Sequence, residues 1–274
     1  MSMLDADVVQ EYIKMCEDAW LQGWHERNAG NLTYRMTDNE IAECEIYFEY
    51  DDEWVEMDIV VENLAEEFFI TTGAGKYFRN VALDAEDCIG ILEINDIGDA
   101  YRVVWGFANG ASPTSEFPSH MLNHSVKKEA TEGKNRIIYH AHPAAVVSLT
   151  SVAPLNSKDF SSILWRTITE CPIVFPTGVG VVDWMIPGGT DIAEETAELM
   201  KTFDAVIWAH HGMFVAGETF DLAFGLMHTI EKSADIYLRT LSSGVKKTHT
   251  ITDEQLREIA IHFNLENFNY SLLD

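Results

Sequence analysis

The chain has 274 residues, 47% of them apolar, so it can bury a sizeable core. With 18 Lys and Arg against 45 Asp and Glu it carries a formal charge of −27, which repels phosphate backbones and argues against a nucleic-acid partner. The same field would repel an anionic metabolite, unless a metal ion or helix N-termini reverse it locally.

Apolar spacing at Val8, Val9, Tyr12, Ile13, Met15, Ala19 and Trp20 predicts a helix over about 6–23. A turn with Asn28, Gly30 and Asn31 follows, then a short strand, Leu32–Arg35. No basic residue occurs between Arg35 and Lys76, while acids are frequent from Asp38 to Glu67. That stretch reads as a solvated surface excursion or hairpin. Strands are predicted at Phe68–Thr71, ended by Gly73-Ala74-Gly75-Lys76, and at Ile89–Ile94 and Tyr101–Trp105. A helix from about Glu116 to Glu132 has Ser115 as its expected cap and Pro118 in its first turn.

An apolar run, Ile137-Ile138-Tyr139, then leads into His140-Ala141-His142 and is stopped by Pro143. Further helices are expected at Ala144–Val152, at Lys158–Ile168, and from a Thr190 cap to about Phe203. Strands are expected at Ile173–Phe175 and Ala205–Ala209. The C-terminal part reads as a long helix, Thr219–Ser242, and a last one opened by a Thr252/Gln255 capping box.

No Pro/Gly/Ser-rich linker divides the chain and no internal repeat is found, so one α/β domain over 1–274 is expected. Cysteines 16, 44, 88 and 171 form no CxxC pair, which suits reduced thiols in the cytoplasm. The N-terminal residues have no basic region followed by an apolar stretch, and no apolar run reaches about 18 residues, so neither signal peptide nor membrane span is expected.

The chemistry centres on His140 and His142. In a strand, residues two apart point to one face, so both imidazoles project together from the strand end. Clustered neutral imidazoles suit zinc, and three protein ligands with an open position mark a catalytic site. A third ligand is available at His210 or His211, where the strand Ala205–Ala209 ends, and spacing alone does not choose between them. Glu116 is the acid–base candidate, although a Glu at a helix start also simply favours the helix dipole. A rival metal set is Glu116, His120 and His124, spaced by four on one helix face. It lacks the HExxH pattern, and packing is the plainer role for its histidines.

An anion could be held by backbone N–H groups of the Gly73–Gly75 turn, by Thr114 and Ser115, or by Asn28 and Asn31. Each also has an ordinary turn or cap explanation. Together they suggest a phosphorylated small substrate.

These residues resemble the class II aldolase/adducin-like family over nearly the whole chain. The resemblance is carried by Trp24–Thr33, Thr72–Val81, Pro113-Thr114-Ser115-Glu116, His140-Ala141-His142, Thr169-Glu170-Cys171, Phe175–Gly180 and His211-Gly212. It implies a central, mostly antiparallel sheet with helices on both faces, assembled as a cyclic homotetramer. It implies that His140, His142 and His211 hold one zinc ion per subunit and that Glu116 is the general base. Phosphate would lie among Asn28, Asn31, Gly73, Ala74, Gly75, Thr114 and Ser115, and Glu170 matches a second carboxylate near the reacting groups. Ala74 departs from the family, whose turn carries a serine there.

The implied activity is aldol cleavage of a ketose phosphate, L-rhamnulose 1-phosphate foremost, to dihydroxyacetone phosphate and L-lactaldehyde. Related enzymes take L-fuculose 1-phosphate, and related L-ribulose 5-phosphate epimerases typically carry Asp at the Glu116 position. Other readings are a zinc hydrolase, in which Glu116 activates water, and an adducin-like binding module, which would lack the ligand set present here.

Overall fold

The computed structural model describes residues 2–50 and 53–273; Asp51 and Asp52 of the acidic stretch lie outside the described residues. Among these residues nine strands form one sheet: β1 Asn31–Arg35, β2 Val55–Glu56, β3 Phe68–Thr72, β4 Ile89–Ile94, β5 Ala100–Gly106, β6 Ile137–Ala141, β7 Gly180–Val182, β8 Ala205–Trp208 and β9 Gly212–Gly217. Around it lie α1 Asp7–Leu21, α2 Asp38–Cys44, α3 Phe78–Val81, α4 Ala85–Cys88, α5 Phe117–Ala130 and α6 Ala144–Leu149. The chain continues with α7 Ser157–Trp165, α8 Cys171–Val174, α9 Thr190–Met200, α10 Phe220–Ser242 and α11 Asp253–His262. The sheet order is β2-β5-β4-β3-β1-β6-β9-β8-β7, and only the β7–β8 pair is parallel. This is the mostly antiparallel α/β domain that the sequence predicts.

Strand alternation sorts the core into two layers. Leu32, Tyr34, Ile137, Tyr139, Ile207, Met213 and Val215 join Tyr12 of α1, Val146 of α6, Phe160 of α7 and Ile230 of α10 in one cluster. On the opposite face, Phe69, Leu92 and Ile94 meet Phe117 and Met121 of α5. Beside them, Ile138, Val206, Trp208 and Phe214 meet Ile192 and Met200 of α9. Both faces are therefore dry, so β6, β8 and β9 are buried at every position. Each fully buried large apolar side chain contributes roughly 1.5–3 kcal/mol relative to exposure. All four cysteines are free and buried, and no helix among the described residues is long and apolar enough to cross a membrane.

Several local expectations are corrected. Ile173 and Val174 belong to the short helix α8, not to a strand; Pro172 stands in its first turn, where its missing N–H costs no helical bond. Ser115 does not cap α5. Glu116 occupies the N-cap, and its backbone N–H donates to Thr114 Oγ1 at 3.4 Å. Thr190 is the first residue of α9, behind Gly189 at the cap.

Most of the acidic stretch is exposed, and among the described residues it forms no hairpin of its own. Thr37 and Glu40 form a capping box that opens α2, and β2 pairs with β5 at the sheet edge. Leu64 and Val61 are buried, and the Arg102 guanidinium lies 4.7 Å over Tyr50 and 4.6 Å over Trp54. Strands β7 and β9 were not predicted. β9 begins at Gly212, next to the turn that carries His211.

Candidate active site

His140 is the fourth residue of β6, paired with Asn31 on one side and Phe214 on the other. Its ring stacks on Phe214 with centroids 4.3 Å apart and is flanked by Trp208 at 5.4 Å. Nδ1 donates to the Met213 carbonyl at 3.1 Å, which leaves Nε2 with its lone pair. That Nε2 is buried and has no hydrogen-bond partner.

His142 follows two residues later and points the same way, its centroid 5.1 Å from that of His140. Its Nδ1 bonds Glu26 Oε1 at 2.7 Å, which orients the ring and leaves Nε2 open.

His211 completes the group on the tight turn between β8 and β9. Its centroid lies 4.7 Å from His142 and 5.1 Å from His140, and its Nδ1 is buried without a partner. His210 takes a positive φ of 59° and is exposed, so the turn presents His211 inward and His210 outward. Gly212 makes this turn possible. A Cβ there would lie 2.4 Å from the Ala141 carbonyl oxygen, 2.9 Å from the His142 ring and 3.1 Å from the His140 ring.

Ligand atoms of the three histidines lie within 4.8 Å of one another, and among the described residues no other group of three or more could hold a metal ion. Two orphaned buried nitrogens and an all-imidazole donor set fit a divalent metal. Burial, with the neighbouring histidines, pushes His140 well below the ordinary imidazole range, and burial brings His211 down to about 4. Both rings are therefore unprotonated at neutral pH, as ligation requires.

Glu116 is nine-tenths buried, and its Oε2 lies 3.6 Å from His140 Nε2. Burial raises its pKa; a hydrogen bond from Asn31 and the nearby His142 partly offset the rise. A carboxylate moved toward neutrality in this way suits proton transfer.

The expected phosphate donors are differently placed. Asn31 Nδ2 donates to Glu116 Oε2 at 2.7 Å, and its Oδ1 meets His120 Nε2, so this amide serves the carboxylate. In the glycine turn, Gly73 N–H donates to Cys88 O at 2.9 Å and Ala74 N–H to Ser112 O at 2.8 Å. Both are spent in holding the loop, and Gly75 N–H is the one left to offer. Thr114 is buried, whereas Asn28 and Ser115 are exposed. Glu170 is exposed at the start of α8, with no site histidine as a partner.

Both histidines of the rival set on α5 are engaged by Thr33 rather than gathered around an open position. His120 Nδ1 meets Thr33 Oγ1 at 2.7 Å and His124 Nε2 meets the same oxygen at 2.8 Å.

Glu26 and His25 are the supporting residues that the spacing of motifs did not single out. His25 stacks on Phe78 at 3.7 Å and bonds the Tyr139 hydroxyl at 2.8 Å and Ala29 O at 2.9 Å, which fixes the 26–30 turn beneath the site. Gly30 adopts φ +75°, and a Cβ there would meet the His25 ring at 2.3 Å. Only the adjacency of His25 and Glu26 to the Asn28–Asn31 turn hinted at such a role.

Residues 10–238 match the family model described as class II aldolase and adducin N-terminal domain. The rhamnulose-1-phosphate aldolase of Klebsiella pneumoniae subsp. pneumoniae is 41% identical over 271 residues, 99% of this chain and 98% of that protein. Its namesake in Mannheimia succiniciproducens is 41% identical over 253 residues, covering 92% and 93%. Among solved structures, a sugar-phosphate aldolase from Thermotoga maritima superposes with a TM-score of 0.71 at 26% identity, covering 87% of this chain and 96% of that one. An L-fuculose 1-phosphate aldolase shares the fold with a TM-score of 0.61 at 21% identity, covering 95% and 97%.

Proposed function

The chain belongs to the class II aldolase and adducin N-terminal domain family, and from that premise we propose that it is a metal-dependent lyase cleaving L-rhamnulose 1-phosphate to dihydroxyacetone phosphate and L-lactaldehyde. One observation carries the reading: a buried carboxylate, Glu116 Oε2, faces the unpartnered Nε2 of His140 at 3.6 Å within a three-histidine cluster. The full-length likeness to rhamnulose-1-phosphate aldolases selects the substrate.

His140, His142 and His211 would hold the metal, with zinc favoured by ligand type at one ion per subunit. When bound, the metal supplies Lewis-acid stabilisation of negative charge beside the ketone carbon. In cleavage the proton leaves the C4 hydroxyl, the C3–C4 bond breaks, and its electron pair stays on the dihydroxyacetone phosphate half. Glu116 returns a proton to that carbon, and in synthesis it removes the same proton. Glu170, exposed on this chain, is assigned to the C4 oxygen proton, in line with a site completed at a subunit boundary. Phosphate is assigned to the Gly75 N–H, the Thr114 and Ser115 hydroxyls and the Asn28 amide, with Gly73 and Ala74 holding the Gly75 turn through Cys88 and Ser112 and Asn31 serving Glu116. A cyclic homotetramer in the cytoplasm belongs to this proposal; sedimentation of the purified protein and cell fractionation test it.

The deciding experiment is a coupled assay of L-rhamnulose 1-phosphate cleavage on zinc-loaded wild type and on His142→Ala. Dihydroxyacetone phosphate from the wild type alone supports the reading. No product from either protein, or faster cleavage of L-fuculose 1-phosphate, overturns it.

A further inference from the structure

Behind Glu116 runs a file of buried side chains whose hydrogen bonds fix one another's direction. An ionised carboxylate only accepts, so the part of the Asn31 amide turned to Glu116 at 2.7 Å is its NH2 group. Asn31 Oδ1 is thereby left to accept from His120, which places the His120 proton on Nε2. Burial holds His120 down at about 3, so the ring is neutral and its Nδ1 is a bare acceptor. Thr33 Oγ1–H donates to that Nδ1 at 2.7 Å in preference to the Ile138 carbonyl at 3.4 Å. Having given its proton, Thr33 Oγ1 accepts from His124 Nε2 at 2.8 Å. His124 Nδ1 must then be a lone pair at the end of the file, and it is the one nitrogen of the two rings that is buried without a partner.

We propose that His120, fixed by Thr33 and His124 and acting through Asn31, is a positioning residue for the general base. Every hydrogen in the file points toward Glu116. The file aims the Asn31 NH2 group at Oε2 and fixes the direction in which the carboxylate faces His140. The file also bars the Asn31 amide from flipping, because a flipped amide would set its oxygen against the carboxylate and its NH2 against a protonated imidazole nitrogen. Asn31, Thr33, His120 and His124 are each at most 5% exposed, so water does not compete for these bonds. The role rests on Glu116 being the base.

The test combines a spectroscopic and a kinetic measurement. Long-range proton–nitrogen correlation spectra of the metal-free, 15N-labelled protein at neutral pH report which ring nitrogen carries each proton. Both His120 and His124 are expected as Nε2–H tautomers. An Nδ1–H tautomer at His120, directed at Ile138, overturns the proposal.

Thr33→Val keeps the side-chain shape and removes the hydroxyl, whereas Thr33→Ser keeps the hydroxyl. Thr33→Val is expected to lower kcat about tenfold, the scale of an outer-shell partner. KM should stay within about twofold, because the variant leaves the groups assigned to phosphate untouched. The His120 signal should shift in the same variant, and Thr33→Ser should restore both. Wild-type kcat with an unchanged His120 signal in Thr33→Val overturns the role. If Thr33→Val does not fold, the wild-type tautomers decide alone. A wild type that shows both Nε2–H tautomers but cleaves no L-rhamnulose 1-phosphate overturns the aldolase reading and supports the geometry of the file.

Discussion

His140 and the paired histidines of α5 lie over the same face of the sheet and are equally buried, yet only His140 joins a cluster that could hold a metal ion. His120 and His124 spend three of their four ring nitrogens on Thr33 and Asn31. The triad instead keeps Nε2 of His140 and Nδ1 of His211 without a partner, and it leaves Nε2 of His142 open because Glu26 takes the other nitrogen. Residue type is alike in the two groups, and His140 matches the α5 pair in burial, while His142 and His211 are only half-buried. What separates the two groups is convergence: ligand atoms of the triad lie within 4.8 Å of one another, whereas the open nitrogen of the α5 pair, His124 Nδ1, stands apart from any such group among the described residues.

The comparison breaks most visibly on metal removal. Chelation is expected to cost about 5 kcal/mol of transition-state stabilisation, nearly 10⁴-fold in kcat. Zinc should restore it, with the His120 and His124 nitrogen signals unmoved throughout. Movement of those signals on chelation would mean that the α5 pair also feels the metal. Next in size, Glu116→Gln should lower kcat by about 10³-fold, the scale of a general base, while metal content measured by atomic emission stays at wild-type level. Loss of metal in this variant would recast Glu116 as a ligand. Glu26→Gln removes the carboxylate that orients His142 and its charge, and should weaken metal affinity about 10- to 100-fold in a competition titration. An unchanged affinity would show that the His142 ring needs no support.

The smallest effect separates the groups by pH. His25 and His120 are held by burial at about 3 in the fold, against an ordinary 6.5. Between these values the unfolded chain binds protons that the folded chain refuses, so stability falls as pH drops from 6.5 toward 3. The urea midpoint should therefore be lower at pH 5.5 than at pH 7, before ordinary carboxylates begin to protonate. Equal midpoints would contradict the neutral, buried assignment.

The site was legible where its chemistry is local. Period-two spacing gave the His140–His142 pair from sequence, and the helix start gave Glu116. The resemblance chose His211 over His210; the structural reason is the tight turn, with His210 at φ 59°. What escaped is long-range. Asn31 looked like a phosphate donor because its partners Glu116 and His120 lie 85 and 89 residues away. Glu26 became meaningful only when β6 brought His142 back to it. In the fold, Ile173-Val174-Phe175 is apolar enough for strand or helix. Pro172 and the cap at Glu170 decide for α8, and periodicity over three residues holds no such information. The acidic stretch is largely exposed, as its charge implies, but that charge masks the anchors Val61 and Leu64.

Gly212 contributes no atom to ligation, yet the space where its side chain would sit is taken by the Ala141 carbonyl and the rings of His140 and His142. An alanine there would push the triad apart by the width of a methyl group. In a screen of all single substitutions scored by growth on the sugar, position 212 should tolerate as little as the three histidines do. A map of intolerance would then overcount the ligands by one, and the extra position would mark the absence of matter on which the geometry depends.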